Sequence, residues 1–163
     1  MDRPVVQGIR QVGLYAPDPA RLALFYQDVL GLQIVAQSKP NADGIRGSIF
    51  LGSRPLEDSY AILLFANAEL YHTGLQVASL ADLRAFHQLI VTCDLPIRWA
   101  LNHGDSLAFY FADPAGNLLK LFWPTGVTYP QPHGHPIDLT QSEADLRQDV
   151  AKLVAQRKVS NGG

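Results

Sequence analysis

The sequence predicts an α+β chain built from two copies of one strand–helix–three-strand unit. Three observations carry this: an internal repeat, the same order of elements in each copy, and a composition able to fill a core. Sliding the chain by 61 positions places Gln11-Val12-Gly13-Leu14 on His72-Thr73-Gly74-Leu75, and Ala20, Leu22, Phe25 and Gln27 on Ala81, Leu83, Phe86 and Gln88. Six identities at one fixed offset within so short a stretch mark duplication. AILLFA (61–66) likewise resembles LLKLFW (118–123) after a small shift. Of 163 residues, 47% are hydrophobic and 17% charged, below the usual charged share of about 25%.

Each copy opens on a short β-rich run, IRQVGLY and YHTGLQV, with the partial alternation of a half-buried strand. Asp18-Pro19 and Ser79 then supply helix-start chemistry, an N-cap side chain followed in the first case by proline in the first turn. Leu22, Phe25, Tyr26 and Val29 recur at helical spacing and the pattern stops at Gly31; Leu80, Leu83, Phe86, His87 and Ile90 repeat it. Gly44, Gly47, Gly52 and Pro55 punctuate short strands in the first copy. In the second, SLAFYFA, the turn DPAGN and LLKLFW predict a hairpin over 106–123. The expected division is 7–66 for the first module, 70–126 for the second, and 127–163 for a proline-rich tail with a C-terminal helix. TGVTYPQPHGHPIDL, with three prolines, suits neither a helix nor a central strand. A 3.6 period returns through Leu146, Val150, Leu153 and Val154, with Ser142 as its cap.

The net charge of −2 leaves no basic surplus for nucleic acid or an acidic membrane surface. No apolar run approaches the roughly 20 residues of a spanning helix, and the opening residues lack a signal core, so the expectation is a cytoplasmic protein. The single cysteine, Cys93, excludes an internal disulfide and cysteine-rich zinc sites.

Paired βαβββ modules, together with Tyr110, Asp113, Pro114, Gly116 and Asn117 in a Y-x-x-DP-x-GN pattern and the strand Tyr71-His72-Thr73-Gly74-Leu75, resemble the vicinal oxygen chelate superfamily over about residues 7–126. That group includes glyoxalase I, extradiol dioxygenases, fosfomycin-modifying enzymes and bleomycin-binding proteins. HGDSLAFYFADPAGN and QPHGHPIDL resemble its extradiol-like branch. The resemblance implies tandem modules forming a cupped mixed sheet, with a divalent metal on the concave face. It also implies ligands from the first and last strand of each module, which fall here on Gln11, Leu63, His72 and Lys120. Of these only His72 is a standard ligand, and Gln11 is a weak neutral donor. An ammonium at Lys120 has no lone pair and repels a cation. The degraded site therefore implies no cofactor; if Fe, Ni, Zn or Mn is retained, His72 and Gln11 would bind it. His103 and Tyr110 match residues that hydrogen-bond substrate or oxygen in the extradiol-like branch.

Parity puts Ser106, Ala108, Tyr110 and Ala112 on one strand face, His72, Gly74 and Gln76 on another, and Gln11, Gly13 and Tyr15 on a third. Small residues beside each candidate are expected to leave room for a ligand. The candidate set is His72, His103, Tyr110 and Lys120 for catalysis, with Gln11, Tyr15, Gln76 and Phe122 for substrate binding. The bland alternatives are a satisfied core histidine for His72, a buried aromatic for Tyr110, and a snorkelling lysine for Lys120. His87 is expected to pack or face solvent, Cys93 to be inert, and His133 and His135 to sit on a loop at the pocket mouth. The favoured function is a metal-independent lyase or isomerase acting on a small aromatic or carbonyl compound. The alternatives are a metal-dependent dioxygenase or glyoxalase-like lyase, and a non-catalytic drug-binding protein. A small-molecule ligand is the expected partner, and a homodimer is left open.

Overall fold

A computed structural model describes residues 3–38, 47–53 and 61–160. Gly44 and Pro55 lie outside these residues. The chain divides into two compact units, Ile9–Leu75 and Met1–Gly8 with Gln76–Gly163. The elements run β1 (Val6–Tyr15), α1 (Pro19–Leu30), β2 (Gln33–Gln37), β3 (Ser48–Gly52) and β4 (Ile62–Phe65), then a 3-10 turn at Ala68–Leu70. They continue through β5 (Thr73–Val77), α2 (Leu80–Thr92), β6 (Ile97–Asn102), β7 (Ser106–Ala112), β8 (Leu118–Pro124), β9 (His135–Pro136) and α3 (Glu143–Ser160). The order βαβββ thus occurs twice, which is the α+β tandem arrangement expected from the repeat.

In the Ile9–Leu75 unit, β2, β3 and β4 form an antiparallel ladder, and β1 joins it parallel to β4 with Gly13 opposite Leu63. Helix α1 starts where Asp18 accepts the Arg21 N–H and Pro19 occupies the first turn; it stops at Gly31, whose φ of 68° is left-handed. Its buried Ala23 packs with Ala16, Ile49, Leu51 and Leu64, and the small side chain lets the helix approach the sheet. Phe50, Leu63 and Phe65 form a second cluster on the other face of the same strands.

In the other unit, β6, β7 and β8 are antiparallel neighbours, and β9 adds two residues to the free edge of β6. Every residue from Ser106 to Phe111 is buried, so β7 is covered on both faces. Phe109 points toward α2, where His87 meets it edge-on with ring centroids 5.3 Å apart. Burying such a phenylalanine is worth about 2–3 kcal/mol. Ser79 caps α2 by accepting the Asp82 N–H, and Ser142 does the same for Asp145 at the start of α3. Leu146 and Val150 are the buried residues of α3, and its Arg147 lies 4.7 Å over the Trp123 ring. None of the described helices is long and apolar enough to cross a membrane.

Candidate functional site

The hairpin β7–β8 brings the chemistry of one unit onto a single strand face. Tyr110 is the register partner of Lys120, Ala108 of Phe122, and Trp99 on β6 of Tyr110. These residues share parity, so all project on the face opposite Phe109. Ala108, Tyr110, Leu118 and Phe122 form a buried cluster there, with Trp99 and Leu101 packed against it. Lys120 is buried among them at 2% exposure, its Nζ 5.0 Å from the Phe122 ring centre and 5.8 Å from that of Tyr110. Burial lowers its pKa from 10.5 to about 8, against a smaller raising effect of the Asp105 carboxylate.

His103 opens the turn between β6 and β7. Its Nδ1 bonds the His133 carbonyl oxygen, which can only accept, so Nδ1 carries the proton. In the neutral ring Nε2 is then the acceptor, and the Tyr110 hydroxyl donates to it at 3.1 Å. Burial, helped by the Asp105 charge, raises the Tyr110 phenol above its ordinary range, so the hydroxyl stays protonated at neutral pH. Asp105 in turn accepts the Ser106 hydroxyl at 3.0 Å. The arrangement combines a buried amine, a phenol and an oriented imidazole. It can stabilise a developing oxyanion and relay a proton.

In the Ile9–Leu75 unit, Gln11 and His72 are both buried, at 8% and 5% exposure. His72 Nδ1 donates to the Leu70 carbonyl at 2.7 Å, which leaves the lone pair of the neutral ring on Nε2. The neighbouring glycines do not provide the ligand room expected of them. A Cβ on Gly13 would meet the Phe65 ring at 3.0 Å and His72 Nδ1 at 3.1 Å, and one on Gly74 would meet Gln11 Cβ at 2.9 Å. The space is filled by the chain's own side chains, because close-packed strands spend a missing Cβ on their neighbours.

Of the predicted residues, Tyr110, Lys120 and Phe122 are brought together on β7 and β8, with His103 beside them at the turn between β6 and β7. Gln11 and His72 lie over the two glycines of adjacent strands. Tyr15 is half exposed, and Gln76 donates to Gln7 at 3.0 Å on the surface. His87 packs on Phe109 with its pKa lowered by burial, and Cys93 is exposed. Sequence reasoning missed Asp105, Trp99 and Gln131. Trp99 carried a parity signal once β6 was placed, and Asp105 sits in HGDS beside His103; Gln131 had none. Among the described residues, no three His, Cys, Asp or Glu side chains gather closely enough to hold a metal ion.

Residues 8–121 match the Glyoxalase/Bleomycin resistance protein/Dioxygenase superfamily. The chain belongs to that superfamily. No curated protein matches the sequence of this superfamily member. Among solved structures it is similar to the Mn(II)-bound glyoxalase from Novosphingobium aromaticivorans, at 20% identity and a TM-score of 0.59, over 74% of this chain and 40% of that one. The 2,3-dioxygenase LapB from Pseudomonas sp. KL28 is similar at 20% identity and a TM-score of 0.61, over 79% and 46% of the two chains. Methylmalonyl-CoA epimerase from Mycobacterium tuberculosis is similar at 18% identity and a TM-score of 0.54, over 77% and 93%. The chain spans less than half the length of the first two, and at such identities the likeness concerns the fold.

Proposed function

We propose that this superfamily member is a small-molecule enzyme that moves a proton without a metal, as a lyase or isomerase of a carbonyl or hydroxyaromatic compound. The observation that carries the reading is the register pairing of Lys120 with Tyr110, whose hydroxyl is bonded to His103. The Lys120 ammonium stabilises an enolate or phenolate oxygen as charge develops on it. The phenol oxygen of Tyr110 takes the substrate proton while its own proton passes to His103 Nε2. The imidazolium so formed is held by the His133 carbonyl, with Asp105 nearby as a carboxylate. Trp99, Leu101 and Phe122 supply the apolar surroundings that strengthen these charges.

The donor set supports the metal-free part of the proposal. A divalent transition-metal ion needs several carboxylate or imidazole donors, and of the four ligand positions implied by the resemblance only His72 offers one, beside the neutral amide of Gln11, the side chain of Leu63 and the ammonium of Lys120. The test is deuterium exchange, followed by NMR, into a panel of α-hydroxyketones, α-ketoacids and phenols. At least one compound is expected to exchange, with a loss of roughly 100-fold or more in Lys120→Ala. Equal exchange by a folded Lys120→Ala protein would overturn the reading.

One observation favours a second reading, a metal-dependent lyase or dioxygenase. His72 is held by a backbone carbonyl in the tautomer that a metal-bound histidine usually adopts. Elemental analysis of protein purified without chelator separates the two. Under the metal-free reading, transition metal stays below about a tenth of an equivalent, because functional sites bind stably.

A further inference from the structure

We propose that Gln131 is a positioning residue that, by tying the main chain of His103 to that of His133, fixes the tautomer of His103 and hence the direction in which Tyr110 passes its proton. The inference rests on the proton-relay reading above. The Gln131 amide bonds on both sides at once. Its Nε2 donates to the carbonyls of His103 at 2.8 Å and Tyr129 at 3.3 Å, and its Oε1 accepts the His133 N–H at 3.2 Å. Two carbonyl partners on one side and an N–H on the other admit only this orientation of the amide. One side chain thus ties the main chain of His103 to the residue whose carbonyl takes the ring proton.

The segment is seated independently of that amide. The Tyr129 ring covers Gly104, where a Cβ would lie 2.3 Å from it. The same ring packs at a tilt against His133, with centroids 4.7 Å apart, and lies under the Arg157 guanidinium at 5.5 Å. Gln131 therefore sets register within a segment that other contacts hold in place.

The consequence is a choice between acid and base. While the His133 carbonyl holds the Nδ1 proton, Nε2 accepts from Tyr110, and the phenol oxygen turns its own lone pairs to the substrate. If that carbonyl withdraws, the proton can occupy Nε2 instead. His103 then donates to Tyr110, and the phenol proton points the other way.

The test uses the full chain with ring-15N histidine, His103 being assigned by its loss in His103→Asn. Wild-type protein is expected to show His103 as a single Nδ1–H tautomer. Gln131→Ala, and Gln131→Glu, which keeps the acceptor for His133 but loses the donor, should show a mixture or the Nε2–H form. Persistence of Nδ1–H alone in the folded variants overturns the proposal. Should Gln131→Ala fail to fold, Gln131→Glu decides it. The readout needs no turnover, so a shifted tautomer with unchanged deuterium exchange would uphold Gln131 while overturning the relay. With both correct, Gln131→Glu lowers kcat about tenfold with KM unchanged.

Discussion

A protonated lysine on an apolar face destabilises the fold that contains it, and the pH dependence of that penalty is specific. The Lys120 ammonium titrates near 8 in the folded protein against 10.5 when exposed. Between those values the unfolded chain binds more protons, so stability should rise with pH from about 8 to about 10.5 and flatten outside that window. Lys120→Met should remove this slope and stabilise the protein at pH 7 by up to about 3 kcal/mol, read as a higher urea midpoint. Gly13 shows the opposite economy. Its missing Cβ leaves room for the His72 backbone N, which would lie 3.0 Å away, and Gly13 and His72 exchange backbone hydrogen bonds at 2.7 and 3.3 Å. The neighbour cannot retreat without losing those bonds, so Gly13→Ala should cost about 1–3 kcal/mol in chemical denaturation.

Turns fix the site as firmly as strands do. In the link from β7 to β8, the Asp113 carboxylate accepts the N–H groups of Ala115 and Asn117 and the Asn117 side-chain amide, all at 2.8–2.9 Å. These bonds hold its pKa below the ordinary carboxylate value. The sign follows: the stabilisation is complete above the unfolded value of 3.8 and fades as pH falls through the lower folded value. Asp113→Asn should therefore weaken the acid limb of the unfolding profile. In the link from β6 to β7, Gly104 has φ of 81° and is covered by Tyr129. Gly104→Ala should displace the 127–133 segment, detected as faster amide hydrogen exchange there with α1 unchanged. The first of these turns was legible because Asp-Pro-x-Gly-Asn carries its own chemistry. The second was not, since the need for glycine comes from a ring 25 residues later in the chain.

Across the whole molecule, duplication was the most legible property. The offset of 61 residues predicted two βαβββ units, and hydrophobic parity placed Ala108 and Tyr110 on the face that the register joins to Phe122 and Lys120. What parity could not give was occupancy. Gly13 and Gly74 read as empty space until Phe65, His72 and Gln11 were found filling it. Nor could it show Gln131, whose role depends on the path of a proline-rich segment without periodicity. Titrating the intact chain with Mn²⁺ or Fe²⁺ should leave Tm unchanged; a rise of several degrees at micromolar metal would signal a retained site.

Five residues, 113–117, separate the strands that bear Tyr110 and Lys120. Because a strand repeats every two residues, lengthening or shortening this link by one would slip the pairing and set Leu119 or Leu121 opposite Tyr110. Every residue of the proposed relay would survive such a change, and the Tyr110–Lys120 pairing it rests on would not. In this chain, the pairing of Tyr110 with Lys120 depends on a count as well as on identities. A relative with an altered link length is therefore expected to lack the proposed relay even where its lysine, tyrosine and histidine all persist.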